Sequence, residues 1–414
     1  MAQRQFPHLP DRLLIQLCDS FLSGSKAGAV ARTVNEQLAR MQRKDRVTRQ
    51  QIYALLNDAR QRRFFRVSAP RHVVLEQTIA DLYRVDKNAI TVADAVGKRT
   101  SEHLAEEAAR LVVQLIKEVA ARKGKKGKTE DREKTRRRKK AIDDPDTPKR
   151  VQVHIGLGAG FTTLNIARYL AHELRTLRDY PDLVLHALSP GFQVDRPSTS
   201  PLGFFGLFDN FGDRVTYVGL FSSTGVAASS YDKEIEQYPV SEAFERKKEI
   251  DIIITSLASA EDEHGNLNQF LLAQKGEKGK KGEDVGRLQR AKWIGDLQYR
   301  PFSREGDITK VQSKRAVTLF ELDQLREFAA DPGKHLLLVS GPCVDCEKTR
   351  EAPMEALLSV AALKVWTHVI MDVSTGEKLA DLARKRREQE GGDAERPARS
   401  PGTRQRRNTQ RSPR

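Results

Sequence analysis

From Val151 onward, short apolar runs alternate with amphipathic stretches, and this alternation constrains the fold of the 414-residue chain more than any other feature. The apolar runs are VQVHI, LVLHAL, RVTYVGLF, IDIIITSL, AVTLF, HLLLVSG and WTHVIMDV. Between them TLNIARYLAHELRTL, LDQLREFAA and EAPMEALLSVAAL carry helical spacing. Strand and helix in turn predict an α/β domain with a mostly parallel, Rossmann-like sheet and helices on both faces. No internal repeat accompanies the pattern.

The chain before this region divides in two. Residues 10–67 predict three helices, and Thr48 with Gln51 three residues on is a capping box that starts the third. Ile52, Leu55, Leu56 and Ala59 form that helix's inner stripe. Arg49, Gln50, Tyr53, Asn57 and Arg60 point outward. HVVLEQTIADLYRV predicts a further helix, AITVADA a strand, and SEHLAEEAARLVVQLIKEV a strongly amphipathic helix. The expected organisation is a helix-turn-helix domain over residues 1–67, an α/β domain over 68–382, and a disordered basic tail over 383–414. Residues 122–150 are expected to be a disordered basic insert, and 275–285, around KGEKGKKGED, a second flexible one.

The net charge of +16 is uneven. Residues 1–66 carry +8, residues 122–140 carry +9 and residues 384–414 carry +7, so the large remainder is mildly acidic. Clustered positive charge on an N-terminal module and two low-complexity segments points to a polyanion partner. A third helix of this layout would lie in the major groove of DNA. Arg49 would then reach a guanine, Gln50 an adenine, and Tyr53 a phosphate or thymine methyl, with Thr48 capping the helix and Arg60, Arg62 and Arg63 on phosphates. The stretch RMQRKDR makes the link before this helix longer than a tight helix-turn-helix turn.

GLGAGFTT, Gly156 to Thr163, follows a predicted strand and opens a predicted helix. Glycines let the backbone approach an anion, and a helix start adds partial positive charge. Gly156, Gly158, Gly160, Thr162 and Thr163 are therefore candidates to hold a phosphate. The next strand ends in Ser189-Pro190-Gly191, without the acidic residue a dinucleotide ribose needs. No GxxxxGK[ST] occurs, so a phosphorylated small molecule fits better than NAD or ATP. Neither HExxH nor GxSxG is present. Asp296 in WIGDLQYR could accept hydrogen bonds from sugar hydroxyls. Cys343 and Cys346 form a lone CxxC short of the four ligands of a structural zinc site. His335 and His368 lie near it only by fold logic. No cofactor, metal site or catalytic residue is assigned. No apolar run reaches 18 residues, which excludes a spanning helix, and the few cysteines argue against a disulfide framework.

With these residues in hand, the chain resembles the SorC-type sugar-binding transcriptional regulators of the DeoR/SorC group. VTRQQIYALLNDARQRRFFRV is similar to that family's recognition helix and following strand. HVVLEQTIADLYRVDKNAITVADA is similar to its linker helix and first sensor strand. VQVHIGLGAGFTTLNIARYL resembles its phosphate loop, IDIIITSLAS a ligand-facing strand end that includes Ser256, and GDLQYRPFSREGD its GD-I-x-G-x-FF turn. LLLVSGPCVDCEKTREAPMEALL and THVIMDVSTGEKLADL resemble the closing strand, loop, helix and strand. The resemblance implies a sensor folded like sugar-phosphate isomerases and CoA transferases but serving as a receptor. It implies operator DNA and a phosphorylated sugar as partners, a homodimer or homotetramer, and a bacterial cytoplasmic, nucleoid-associated protein. It also implies ligand roles for Ser189, Ser256, Asp296 and Lys348, the nearest candidate for the family's loop lysine. Ser340-Gly341-Pro342 replaces two family glycines, and the family's arginine has only Arg196 nearby. Two other functions remain open, a sugar-phosphate isomerase-like enzyme and a ligand-independent DNA binder.

Overall fold

The computed structural model describes residues 9–62, 64–65, 68–95, 97, 99–137, 150–177, 179–191, 197–223, 225–273, 283–342 and 353–394. They form two compact units, Met1–Ser68 and Ala69–Arg414.

The first unit is α1 (Asp11–Leu22), α2 (Ala27–Arg40) and α3 (Arg49–Gln61). Their inner stripes, including Leu14, Leu17, Val30, Val34, Leu38, Ile52, Leu55 and Ala59, make one apolar core. The capping box at α3 is formed as the sequence predicts. Thr48 Oγ1 accepts from the Gln51 amide at 3.3 Å, and the Thr48 amide donates to Gln51 Oε1 at 2.8 Å. The long link before α3 is braced by a side chain from α2. Asn35 Nδ2 donates to the Val47 carbonyl at 2.9 Å while the Val47 amide donates to Asn35 Oδ1 at 2.7 Å. One asparagine thus satisfies both backbone groups of a residue that is itself buried.

The second unit opens with α4 (Val73–Tyr83), β1 (Ile90–Ala93) and α5 (Thr100–Arg137). Then come β2 (Gln152–Leu157), α6 (Phe161–Thr176), β3 (Asp182–Ala187), α7 (Pro201–Phe205), β4 (Val215–Val218), β5 (Gly225–Ala227), α8 (Tyr231–Ile235) and α9 (Val240–Arg246). β6 (Ile252–Ser259) leads to α10 (Asn266–Ala273), α11 (Glu283–Arg290), β7 (Gly295–Leu297), β8 (Arg300–Ser303), β9 (Gly306–Asp307) and β10 (Lys314–Ala316). α12 (Leu322–Ala330), β11 (His335–Ser340), α13 (Met354–Leu363), β12 (His368–Asp372) and α14 (Val373–Ala394) close the chain.

The main sheet has the order β1-β12-β11-β6-β2-β3-β4, with every neighbouring pair parallel. Alternate residues feed two separate cores. Ile252 and Ile254 enter the layer under α5 and α6, and Ile253 enters the layer under α4, α12, α13 and α14. Burial on both faces is what parallel strands require. β7, β8 and β9 form an antiparallel extension from the end of β6.

Four expectations change. The basic stretch from 122 continues α5 to Arg137, because Lys, Arg and Glu favour helix and no proline intervenes before Pro145. Residues 138–149 lie outside the described residues. The segment expected to be flexible, 275–285, overlaps α11, which starts at Glu283 and turns Asp284 inward to accept from the Ser313 and Lys314 amides at 2.7 and 3.0 Å; residues 274–282 lie outside the described residues. The tail expected to be disordered from 383 is helical to Ala394 for the same propensity reason, and 395–414 lies outside the described residues. AVTLF is not a sheet strand. Only Lys314–Ala316 pairs, antiparallel to β5, and Val317 to Phe320 run on as buried loop.

Arg300 on β8 is fully buried and joins four parts of this unit. It donates to the Ala316 carbonyl at 2.9 Å and to the Tyr231 hydroxyl at 2.8 Å, and pairs with Glu321 at 2.9 Å. Glu321 also takes Arg315 at 2.8 Å and caps α12. Removing one partner leaves a buried charge uncompensated, which typically costs about 3–5 kcal/mol. The Glu321 side chain is 30% exposed, so Glu321→Ala should cost somewhat less, about 2–4 kcal/mol. Glu355→Ala, which breaks an exposed pair with Arg304, should cost about 1 kcal/mol or less. Urea unfolding of the two variants checks the contrast.

Candidate functional site

The strand order reverses between β2 and β6. From β2 the chain steps outward through β3 to β4, and from β6 it steps the other way through β11 and β12. In open parallel sheets such a reversal leaves a crevice outside the carboxyl ends of the two strands. GLGAGFTT lies at the end of β2, so the candidate anion loop sits at this switch point.

The three glycines are needed for space. A Cβ on Gly156 would meet Leu188 Cδ2 at 2.7 Å, and one on Gly158 would meet Thr255 Oγ1 at 3.0 Å and the Ile254 carbonyl at 3.3 Å. Gly160 caps α6 at φ 111°, a conformation that favours glycine. Two of their amides are already used. Gly158 N donates to the Ile254 carbonyl and Gly160 N to the Thr199 carbonyl, each at 2.9 Å. The glycine amides therefore do not line an anion cradle as the sequence suggests. What faces the crevice is the first turn of α6. Thr162 is half-buried there, and Thr163 is fully buried with no hydrogen-bond partner for its hydroxyl among the described residues.

Other candidates collect at the same edge of the sheet. Ser189 follows β3 and is buried, and Ser256 is half-buried on β6. Asp296 pairs across from Ala258 in the extension of β6. Asp296 is buried, and its Oδ1 has no partner among the described residues. Burial pushes its carboxyl up to about 8, the Asp262 charge adds to this, and a hydrogen bond from the Tyr299 backbone acts the other way. At neutral pH the group is therefore largely a neutral acid, able to donate as well as accept. Lys348, Arg196, Cys343 and Cys346 lie outside the described residues.

Sequence reasoning missed Tyr299, Thr255 and Ser340. Gln298 and Tyr299 form the two-residue turn between β7 and β8, at φ 49° and 64°. Glycine or asparagine usually occupies such turns, and left-handed backbone at other residues costs about 1–3 kcal/mol. Tyr299 stands where the GD-I-x-G-x-FF pattern has glycine. Its ring is buried edge-on against Phe270 at 6.1 Å. Burial raises its phenol, the neighbouring Asp296 adds to this, and a hydrogen bond with Ser189 opposes it. Thr255 meets Gly158, and the buried Ser340 ends β11. No local pattern marks these three, because contacts between distant strands bring them to the crevice.

In the helical unit, the first outward turn of α3 presents Arg49, Gln50 and Tyr53, all exposed. Tyr53 leans edge-on against Phe21 at 5.8 Å. Arg60 donates to Asn57 at 3.0 Å. Arg62, expected on phosphate, is engaged within the unit. Its guanidinium bonds to Asp11, lies 3.7 Å from Asp58 and sits 4.5 Å over the Phe64 ring. It ties the end of α3 to the start of α1.

No protein-family model matches the sequence, and a search of curated proteins finds no match. Solved structures do match. The full-length sorbitol operon regulator SorC from Klebsiella pneumoniae superposes with TM-score 0.51 at 12% identity, over 89% of this chain and 98% of that one. A domain of a possible sugar-binding transcriptional regulator from Arthrobacter aurescens TC1 gives 0.50 at 16% identity, over 74% and 96%. A transcriptional regulator from Streptococcus pneumoniae TIGR4 gives 0.51 at 15%, over 75% and 96%. The chain has the fold of these SorC/DeoR-type regulators, as the motif resemblance implies. Among the described residues no helix is long and apolar enough to cross a membrane.

The raised carboxyl of Asp296 carries a pH signature. The folded protein holds this proton from about pH 4 to about pH 8 while the unfolded chain releases it, so stability falls as pH rises through that window. Asp296→Asn should flatten this part of the profile and raise stability relative to wild type near pH 8. Urea unfolding of both proteins at several pH values measures it.

Proposed function

We propose that the protein is a transcriptional regulator. Met1–Ser68 acts as a helix-turn-helix domain that binds operator DNA, and the sheet unit senses a phosphorylated sugar or related metabolite. The observation that carries the sensor reading is the buried Thr163 hydroxyl at the start of α6, at the switch point of the sheet and without a protein partner among the described residues. A helix start favours an anion, so the phosphate belongs on the first turn of α6 with Thr162 and Thr163. Ser189, Ser256 and the neutral carboxyl of Asp296 face the sugar hydroxyls, and Lys348 is placed with them by resemblance. The protein acts as a homodimer or homotetramer in the bacterial cytoplasm at the nucleoid, and effector binding favours one arrangement of the subunits over another.

Sugar phosphates titrated into the purified protein should raise its unfolding temperature, by the equivalent of about 2.7 kcal/mol at a hundredfold excess over Kd. Thr163→Ala should weaken this binding by about 1.5–3 kcal/mol, the usual worth of a hydrogen bond to a charged group. If the Thr162→Ala/Thr163→Ala double variant binds as wild type does, the pocket lies elsewhere. If no sugar phosphate shifts the wild-type protein, a ligand-independent DNA binder is the better reading.

On the DNA side, Arg49→Ala should cost about 1–3 kcal/mol on the operator and relax the preference at one base pair. Arg62→Ala should act differently, because that side chain is tied to Asp11 and Asp58. It should lower the melting temperature of the helical unit and weaken operator and scrambled duplex alike. Binding of each variant to both duplexes at one fixed salt concentration separates the roles. Equal losses on both duplexes for Arg49→Ala would mean that α3 does not read sequence.

A further inference from the structure

Two histidines meet a carboxylate on the sheet face opposite α5 and α6. His154 on β2 and His186 on β3 both point into the layer covered from the α9 and α12 side, away from Val153, Ile155, Leu183 and Leu185. His186 is fully buried and His154 nearly so. His154 Nδ1 lies 3.0 Å from His186 Nε2 and 3.4 Å from Glu249 Oε2. One ligand atom from each residue falls within 4.8 Å of the other two. We propose that His154, His186 and Glu249 form a binding site for a transition-metal ion of the Zn²⁺ class, separate from the sugar crevice.

The spacing fits such an ion. Four ligands about 2.0–2.1 Å from a tetrahedral metal lie about 3.3 Å from one another. The two short separations here bracket that edge, and the third is no more than 4.8 Å. A two-nitrogen, one-oxygen set suits Zn²⁺, Co²⁺ or Ni²⁺ rather than Mg²⁺ or Ca²⁺, which take oxygen ligands. A hydrogen bond between the two rings would account for one nitrogen pair alone. It would not call for a carboxylate oxygen on the same His154 Nδ1.

The surroundings keep both rings available as ligands. Both rings are buried between β2, β3 and the segment entering β6. A buried imidazole that carries no proton charge is the form that coordinates a metal. Four charged groups face His154. Lys123 and Arg246 disfavour a cation there, and Asp251 and Glu249 favour it. The two cations are themselves held by the acids, Lys123 on Asp251 at 2.6 Å and Arg246 on Glu249 at 3.0 Å. Arg246 then serves as an outer partner that orients the ligating carboxylate. A bound ion would join β2, β3 and the segment entering β6, the strands that frame the switch point.

The test is a Co²⁺ titration of untagged full-length protein, read by visible absorption, followed by displacement with Zn²⁺. It is run in a Cys343→Ser/Cys346→Ser background, so that the CxxC cannot supply the signal. The expected result is one equivalent bound with the spectrum of a low-coordinate nitrogen/oxygen site, and a metal-dependent rise in unfolding temperature. Glu249→Gln is the safest ligand variant, since that side chain is 35% exposed. It and His154→Gln should each weaken binding by more than tenfold. Circular dichroism shows whether each variant folds. Absence of stoichiometric binding in the serine background would overturn the site. So would binding that a folded Glu249→Gln variant leaves unchanged.

Discussion

The sheet order β1-β12-β11-β6-β2-β3-β4 is the constraint from which the rest of the second unit follows. Parallel neighbours cannot be joined by tight turns, so each strand hands the chain to a crossover that packs on one face. Both faces then need cover, and the strands must be apolar on both sides, as Ile252, Ile253 and Ile254 are. Because β3 and β11 lie on opposite sides of the β2–β6 pair, successive crossovers leave in opposite directions. No crossover closes the gap between them. The crevice is thus a product of topology, and the close approach of Gly156 to Leu188 and of Gly158 to Thr255 keeps the turn beside it tight.

Polar groups at this edge depart from the rule that buried donors and acceptors find partners within the protein. Thr163 Oγ1, Ser340 Oγ and Asp296 Oδ1 all lack one among the described residues. Arg300 shows the opposite solution less than ten residues from Asp296. It is equally buried, but its two terminal nitrogens are held by Tyr231, Ala316 and Glu321. One end of the β7–β8 hairpin carries an ionic cluster of Arg300, Arg315 and Glu321, and the other carries the unpaired Asp296 carboxyl oxygen. Tyr299 lies between them in left-handed backbone. Such strain persists where surrounding structure over-determines it, and Phe270, Ser189 and Asp296 supply that surrounding.

Much of this architecture was legible in the sequence, and the gaps have a common cause. Short continuous apolar runs and period-3.6 patterns mark the sheet strands and their helices, because burial on both faces of a strand, or on one face of a helix, leaves a local trace. The capping box at Thr48 was legible for the same reason. AVTLF misled because its apolar residues are buried in a loop, where composition resembles a strand but no ladder forms. The basic stretches at 122 and 383 misled because solvated charge and helix propensity coexist in Lys, Arg and Glu, so low apolar content did not mean loss of helix. The glycine turn was placed correctly but given the wrong donors, since nothing local shows that Ile254 and Thr199 take the amides of Gly158 and Gly160. His154 and His186 stand 32 residues apart, and only the β2–β3 register makes them neighbours.

Charge follows the same logic, because a formal count treats every arginine alike. Residues 1–66 carry +8, yet part of that charge is already answered inside the unit. Arg62 is matched by Asp11 and Asp58, and Arg43 lies 3.3 Å from Asp45. A cation held by a carboxylate gains less from a phosphate, since one pairing must be given up for the other. The charge left to attract a polyanion is therefore smaller than the count and unevenly placed. Arg49 lies at the start of α3, where the helix dipole adds to its positive potential, whereas Arg62 lies at the end, where carboxylates and the dipole offset it. The helix is thus polarised along its axis. Its capped N-terminal end is the one suited to approach an anionic surface, and its C-terminal end is committed to holding α1.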